Sequence, residues 1–183
     1  LHERGLERFA DPQSPAEMLS LGGTAISSHY VTPACGGDFA FVKGVIKRVL
    51  ERDALARANG ESALLDDAFI AEHTHGFDDF AADVRSERWD DLARASGVSQ
   101  AQMCQIADVY LRGERVIATW GMGITQHKHA VATIQMIVNL MLLRGNIGRP
   151  GAGLCPVRGH SNVQGDRTVG INEKPSAAFL DRL

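Results

Sequence analysis

The sequence predicts an α/β fold, Rossmann-like, with a parallel sheet flanked by helices, and three observations carry that expectation. Residues 115–120 are a short β-branched run that feeds straight into Gly121-Met122-Gly123 and then a helical pattern. Two segments, 39–50 and 129–143, repeat apolar residues at helical spacing. The 183 residues are 44% apolar and 22% charged, a balance that builds a core and suits one domain or pieces of a larger enzyme.

Taken in order, residues 1–23 carry Pro12 and Pro15 and read as loop with one helical turn after Ser14. Residues 25–30 are expected to form a short strand. Pro33-Ala34-Cys35-Gly36-Gly37-Asp38 is a turn, with Asp38 placed to cap the next helix. In that helix Phe39, Val42, Val45, Ile46, Val49 and Leu50 share one face, and Lys43, Lys47 and Arg48 lie off it. A polar break at 59–62 marks an internal boundary. Short helices are expected at about 66–73, 77–85 and 89–95, with Gly97 as a stop. Ser99 and Gln102 make a capping box for a helix that turns Met103, Ile106, Ala107 and Tyr110 inward.

The helix over 129–143 is apolar nearly all round, the mark of a helix buried in a large protein. Left uncovered, it would drive self-association. Arg144 and Gly145 end it. Residues 146–169 are rich in Gly and Pro and read as a long functional loop.

The formal charge is −3 and no basic run exceeds two residues, which argues against nucleic-acid binding. No stretch reaches the roughly 18 uninterrupted apolar residues of a membrane span. Leu1-His2-Glu3-Arg4 has no signal-peptide core, and a start without Met reads as a cut within a longer parent. Cys35, Cys104 and Cys155 are odd in number and lack metal-type spacing. They read as reduced thiols of a cytoplasmic protein or as small buried apolar residues.

Three stretches are candidates for chemistry. A strand end, the Gly121-Met122-Gly123 turn and a helix can aim backbone N–H groups at an anion, and Gln126 can hydrogen-bond a heterocycle. The same unit also reads as a tight βα connection that binds nothing. It is not a dinucleotide fingerprint, because Gln126 stands where the third Gly belongs. In Gly145-Asn146-Ile147-Gly148-Arg149-Pro150-Gly151, Arg149 is placed either to pair with an anion or to sit in an exposed connector. In Pro156-Val157-Arg158-Gly159-His160-Ser161-Asn162-Val163-Gln164-Gly165, Arg158 offers a bidentate fork and His160 a proton donor or acceptor. The pairs His73/His75 and His127/His129 have no third ligand at metal spacing, so no metal site is expected within this chain.

Together, Trp120-Gly121-Met122-Gly123-Ile124-Thr125-Gln126-His127, Leu143-Arg144-Gly145-Asn146-Ile147-Gly148-Arg149-Pro150-Gly151-Ala152-Gly153 and the Pro156–Gly165 stretch resemble the molybdopterin oxidoreductase family, in its formate dehydrogenase-like alpha-subunit group. Three motifs in order over about forty-five residues are more specific than any one alone. The resemblance implies an internal piece of a large multi-domain α/β enzyme. Such an enzyme holds molybdenum, or tungsten, between two molybdopterin guanine dinucleotides. Residues 1–60 would then end one cofactor-binding domain. Residues 61–183 would belong to a molybdopterin-binding domain, with a helical insertion at 61–97 and a C-terminal active-site loop.

The resemblance further implies that Gly36, Gly37 and Asp38 stand where the family usually shows Gly-Thr-Asp at a dinucleotide contact. Gly121, Met122, Gly123 and Gln126 take the pterin-dinucleotide positions. Arg158 matches the arginine that faces metal and substrate anion, such as formate, and His160 stands where those enzymes usually carry Gln. The metal ligand and an iron–sulfur cluster would lie elsewhere in the parent, as would contacts to an electron-transfer subunit. The piece alone would be inactive. A non-catalytic α/β module binding a nucleotide or a protein, and a degenerate structural relative, are the rival readings.

Overall fold

The computed structural model describes residues 8–9, 11, 13–20, 23–160, 162–171 and 173–182. Its elements run β1 (Arg8–Phe9), α1 (Pro15–Ser20), β2 (Thr24–Ala25), α2 (Asp38–Ala58), α3 (Asp67–His73), α4 (Phe77–Ser86) and α5 (Trp89–Ser96). They continue through α6 (Gln100–Arg112), β3 (Ile117–Trp120), α7 (Met122–Thr125), α8 (Ala130–Leu142), β4 (Gly153–Pro156), α9 (Val163–Thr168) and α10 (Ala177–Leu180). Helix predominates. β1 pairs antiparallel with β2, and β3 pairs parallel with β4. Of the strand expected over 25–30 only Ala25 is extended and paired, in β2, because β1 offers partners to Thr24 and Ala25 alone.

The core forms around α2, on which α4, α5, α6 and α8 all pack. Val45, Ile46, Val49 and Leu50 are essentially fully buried there. Burying a side chain of that size contributes roughly 1.5–3 kcal/mol. Lys43 and Lys47, expected off the apolar face, are also buried, at 6% and 7% exposure. The reason is that α4 and α5 close over that side and supply partners. Lys43 Nζ lies 2.8 Å from Asp83 and 2.6 Å from Glu87, and Lys47 Nζ donates to the Arg85 carbonyl at 2.8 Å. Burial disfavours the Lys43 ammonium, but the two carboxylates outweigh it and raise its pKa above the ordinary value.

Asp38 does not cap α2. The cap is Gly37, without a side-chain bond, and Asp38 is the first helical residue, where its charge still favours the helix dipole. The capping box at Ser99 and Gln102 is present in full. At the other end of α2, the buried Asp53 accepts from Leu64 N at 2.8 Å, Leu65 N at 3.1 Å and Arg57 Nε at 2.7 Å. This joins the helix to the chain that follows the polar break.

β3, α7, α8 and β4 make a parallel βαβ unit, the smallest piece of an α/β fold. A Rossmann-like sheet needs strands beyond these two. The stretch 146–169, expected to be loop, contains β4 and α9. Its strand exists because β3 offers a partner in register, Ala118 opposite Leu154 and Trp120 opposite Pro156. The Gly-Met-Gly turn is itself the start of α7. α8 buries Ala130, Thr133, Met136 and Met141 but leaves Val131 71% exposed. Only Gln135 is exposed with it, so α8 is covered over most of its surface, while α2 is enclosed in its first three-quarters and exposed at Arg52, Ala54, Leu55, Arg57 and Ala58.

One junction fixes how β3 meets the helices. Asn146 is completely buried. Its Oδ1 accepts from Val116 N at 3.2 Å and Arg149 Nη2 at 2.9 Å, and its Nδ2 donates to the Tyr110 hydroxyl at 3.2 Å. That hydroxyl donates to the Leu140 carbonyl at 2.6 Å. Arg144 closes beside it, donating to the carbonyls of Leu64, Tyr110 and Gly113.

Burial pushes the Asp53 carboxyl up, but the Arg57 guanidinium and the two N–H donors outweigh it and hold its pKa below the usual range. Its stabilising contribution is therefore present above the unfolded-state value, about pH 4, and is lost as pH falls through the lower folded value. Denaturant unfolding of the full-length protein between pH 2 and 5, as an order-of-magnitude window, should show a steep loss of stability. Asp53→Asn should flatten that slope and lower stability at neutral pH.

Candidate functional site

Because β3 and β4 run parallel, the chain leaves both at the same edge of the sheet, and the two candidate loops begin there. Val157 N donates to the Trp120 carbonyl at 2.7 Å, carrying the pairing one residue beyond β4. Gly121 then starts one loop and Arg158-Gly159-His160 the other. The Met122 side chain spans between them: a Cβ built on Gly159 would sit 3.4 Å from Met122 Cε and 3.7 Å from its sulfur. Gln126 Nε2 donates to the same sulfur at 3.5 Å.

The fold thus gathers Gly121, Met122, Gly123, Gln126, Arg158 and His160 at the carboxyl ends of two parallel strands. That is where open α/β sheets receive ligands. The approach is open. A Cβ on Gly123 would meet nothing within 4 Å, and one on Gly121 only the Val157 carbonyl, at 3.9 Å. Met122, Gln126, Arg158 and His160 are all exposed. Gly159 had no role in the sequence beyond flanking polar residues. Its signal is its place between Arg158 and His160, where a Cβ would come into van der Waals contact with Met122. Ser161 lies outside the described residues.

Gly36, Gly37 and Asp38 sit apart from this gathering, on the turn that docks against the end of α5. Ala34 N donates to the Ser96 carbonyl at 2.7 Å, and Gly37 N to the Ala34 carbonyl at 2.7 Å. A Cβ on Gly37 would lie 2.8 Å from the Ser96 carbonyl oxygen and 2.9 Å from that of Ala95. Real Cβ atoms do not approach backbone so closely, so the turn has no room for the Thr of Gly-Thr-Asp. Gly36 is exposed and Asp38 half-buried.

Arg149, a candidate anion partner, turns inward. Its Nη2 reaches Asn146 Oδ1 and the Glu114 carbonyl. It lines, with Asp66, Glu114, Arg115 and Arg144, an open cleft of about 670 Å³ at the amino-terminal end of β3, away from the two loops. Among the described residues no three His, Cys, Asp or Glu side chains come together as a metal-holding group. His73 packs its ring on Phe69 at 4.6 Å between centroids. Cys35 and Cys155 are exposed thiols, while burial pushes the Cys104 thiol up. No helix among the described residues is long and apolar enough to cross a membrane.

No family model matches the chain. It is 56% identical over its whole length to "Protein YdeP" of Escherichia coli K12, covering 24% of that protein. It is 42% identical over its whole length to "Uncharacterized oxidoreductase Rv2900c" of Mycobacterium tuberculosis, covering 23% of it. Over 110 residues, 60% of the chain, it is 37% identical to "Formate dehydrogenase H" of Escherichia coli K12, covering 15% of that protein. The chain spans about a quarter of the length of the curated relatives that match it throughout. These relatives support an oxidoreductase family.

The packing of Gly37 yields a direct test. Gly37→Thr should lower stability by about 1–3 kcal/mol, the usual cost of overpacking. Denaturant midpoints of the full-length protein read the difference, and an unchanged midpoint would contradict the packing.

Proposed function

We propose that this chain supplies one wall of the cofactor cradle in a molybdenum- or tungsten-dependent bis(molybdopterin guanine dinucleotide) oxidoreductase, similar to formate dehydrogenase. The observation that carries the reading is the meeting of two loops at one sheet edge, with Met122 bridging from the Gly121–Gln126 segment to Gly159. Similarity to proteins named as oxidoreductases, and to formate dehydrogenase H over part of the chain, supports it. In this reading 1–60 ends one cofactor-binding domain and 61–183 belongs to a Rossmann-like molybdopterin-binding domain.

The residues present fit such a group. A pterin dinucleotide is large, flat and rich in hydrogen-bonding atoms, and it needs a surface that backbone can approach. Gly121 and Gly123 leave that surface open, and the exposed Gln126 amide can both donate to and accept from a heterocycle. These residues, with Met122, would hold the dinucleotide. The bound group supplies the two-electron chemistry at its metal, with electrons leaving singly through centres elsewhere, such as an iron–sulfur cluster of the parent.

What this chain's residues add is orientation and charge. Arg158, exposed beside the bridge, presents a planar fork of donors that matches a small carboxylate such as formate. His160, two residues on, offers a ring nitrogen that can hold or move a proton at neutral pH. Gly36 and Asp38 would add a dinucleotide contact from the α2 turn, without the hydroxyl that Thr provides elsewhere. The rest of the parent supplies the metal ligand, so this segment alone catalyses nothing.

The test uses the full-length protein purified without oxygen. Mass spectrometry should find molybdenum or tungsten, with about two guanines released per metal atom, as a bis-dinucleotide cofactor requires. With formate, Arg158→Ala should retain metal and lose about 100-fold or more in kcat/KM, the scale on which a preorganised donor acts. Absence of both metal and guanine from protein made in a cofactor-competent host would refute the reading, leaving a non-catalytic module.

A further inference from the structure

The cleft of about 670 Å³ at the amino-terminal end of β3 takes no part in the proposed cofactor contact, and three arginines line it: Arg115, Arg144 and Arg149. Among the described residues, carboxylates pair with Arg48, Arg52, Arg57, Arg88, Arg94 and Arg167, and with none of these three. Arg144 donates through Nε and Nη1 to the carbonyls of Leu64, Tyr110 and Gly113, which leaves its Nη2 over. Its guanidinium is held above the Tyr110 ring, 5.5 Å from the centroid. Main-chain carbonyls and an aromatic face fix a cation in place without neutralising it.

Arg149 is committed in the same way, with Nη2 donating to the Asn146 amide oxygen and the Glu114 carbonyl. Its Nε is buried with no acceptor. A buried donor left unanswered on a charged group calls for an explanation, such as a bound ion or water. Arg115 is exposed, and its stem lies along Gly151, where a Cβ would come within 3.2 Å of Cδ. Among the described residues its guanidinium has no hydrogen-bond partner. On the acidic side of the cleft, Asp67 is taken by Arg57 at 2.8 Å, and Asp66 Oδ1 caps α3 at Phe69 N. Glu114 gives Arg149 its carbonyl and not its carboxylate. Three guanidiniums without a carboxylate partner thus share the cleft with two carboxylates without a cation, Asp66 and Glu114, a surplus of positive charge.

We propose that this cleft is a binding site for a phosphate-class oxyanion, seated between the Arg115 fork and Arg144 Nη2, with the charge of Arg149 behind it. A tetrahedral dianion accepts several charge-assisted N–H bonds at once, which suits arginines brought together from separate segments. Because Arg144 also holds the Tyr110 carbonyl and Arg149 holds Asn146, an anion here bears on the junction that sets β3. The site does not rest on the cofactor reading, since it lies at the other end of the strand and its test needs no metal.

Calorimetric titration of the full-length protein with inorganic phosphate, at constant ionic strength, reads the site directly. Phosphate should bind, and sulfate should compete for the same site while chloride does not. Arg115→Gln removes a guanidinium that holds no part of the fold by a hydrogen bond. It should weaken phosphate binding at least about tenfold, the scale of one charge-assisted contact. Glu114→Gln, which removes an opposing charge and keeps the carbonyl held by Arg149, should tighten it. Arg158→Ala, at the far end of the sheet, should leave phosphate affinity as it is, which separates this cleft from the cofactor surface. No binding of phosphate would overturn the proposal, as would binding that Arg115→Gln leaves unchanged or that Arg158→Ala abolishes. Displacement by chloride at equal ionic strength would overturn it too, leaving only a diffuse positive surface.

Discussion

The buried carboxamide of Asn146 is the point at which separate parts of the chain become one structure. Its oxygen takes the N–H that opens β3 and the guanidinium of Arg149, and its nitrogen holds the Tyr110 hydroxyl, which in turn holds the last turn of α8. A buried amide leaves large costs if any of these bonds is missing, so the network is satisfied only with α6, α8, β3 and the turn toward β4 in one arrangement. Burial also pushes the Tyr110 phenol up, which keeps it a donor at neutral pH. The loops at the far end of β3 and β4 inherit their position from this junction.

Around it the helices solve a second problem. α2 is enclosed by four others, and its lysines are admitted to the interior because α4 and the residues after it bring Asp83, Glu87 and the Arg85 carbonyl to meet their amines. A buried charge is tolerated only when so paired. α8, by contrast, keeps Val131 in solvent, and β3 keeps Ile117 there. Both exposed residues lie in the βαβ unit that carries the candidate loops.

Much of this was legible from local signals. The capping box of α6, the period of α2 and the β-branched run of β3 each report a local preference that tertiary structure kept. β4 was not legible, because Gly153-Leu154-Cys155-Pro156 has no strand preference of its own and is extended only by pairing with β3. The burial of Lys43 and Lys47 is not legible, because pattern alone cannot foresee partners from a helix some 40 residues on, a tertiary override of the amphipathic rule. Arg149 had the chemistry of an anion ligand, and only the neighbouring Asn146 and Glu114 reveal that its donors turn inward. The candidate site divided along the same line. Motif order brought Gly121, Met122, Gln126 and Arg158 to notice together, but the role of Gly159 and the separation of Gly37 from them depend on packing.

A large cofactor lying against the surface formed by these two loops, as proposed, would cover Met122. That side chain is 52% exposed in the chain alone, and its thioether is readily oxidised. Oxidant footprinting of the full-length protein, comparing cofactor-loaded with cofactor-free samples, measures whether Met122 is covered. Met122 should be oxidised several-fold more slowly in the loaded protein, an order-of-magnitude expectation from loss of solvent access. Equal rates of Met122 oxidation in the two samples would contradict it.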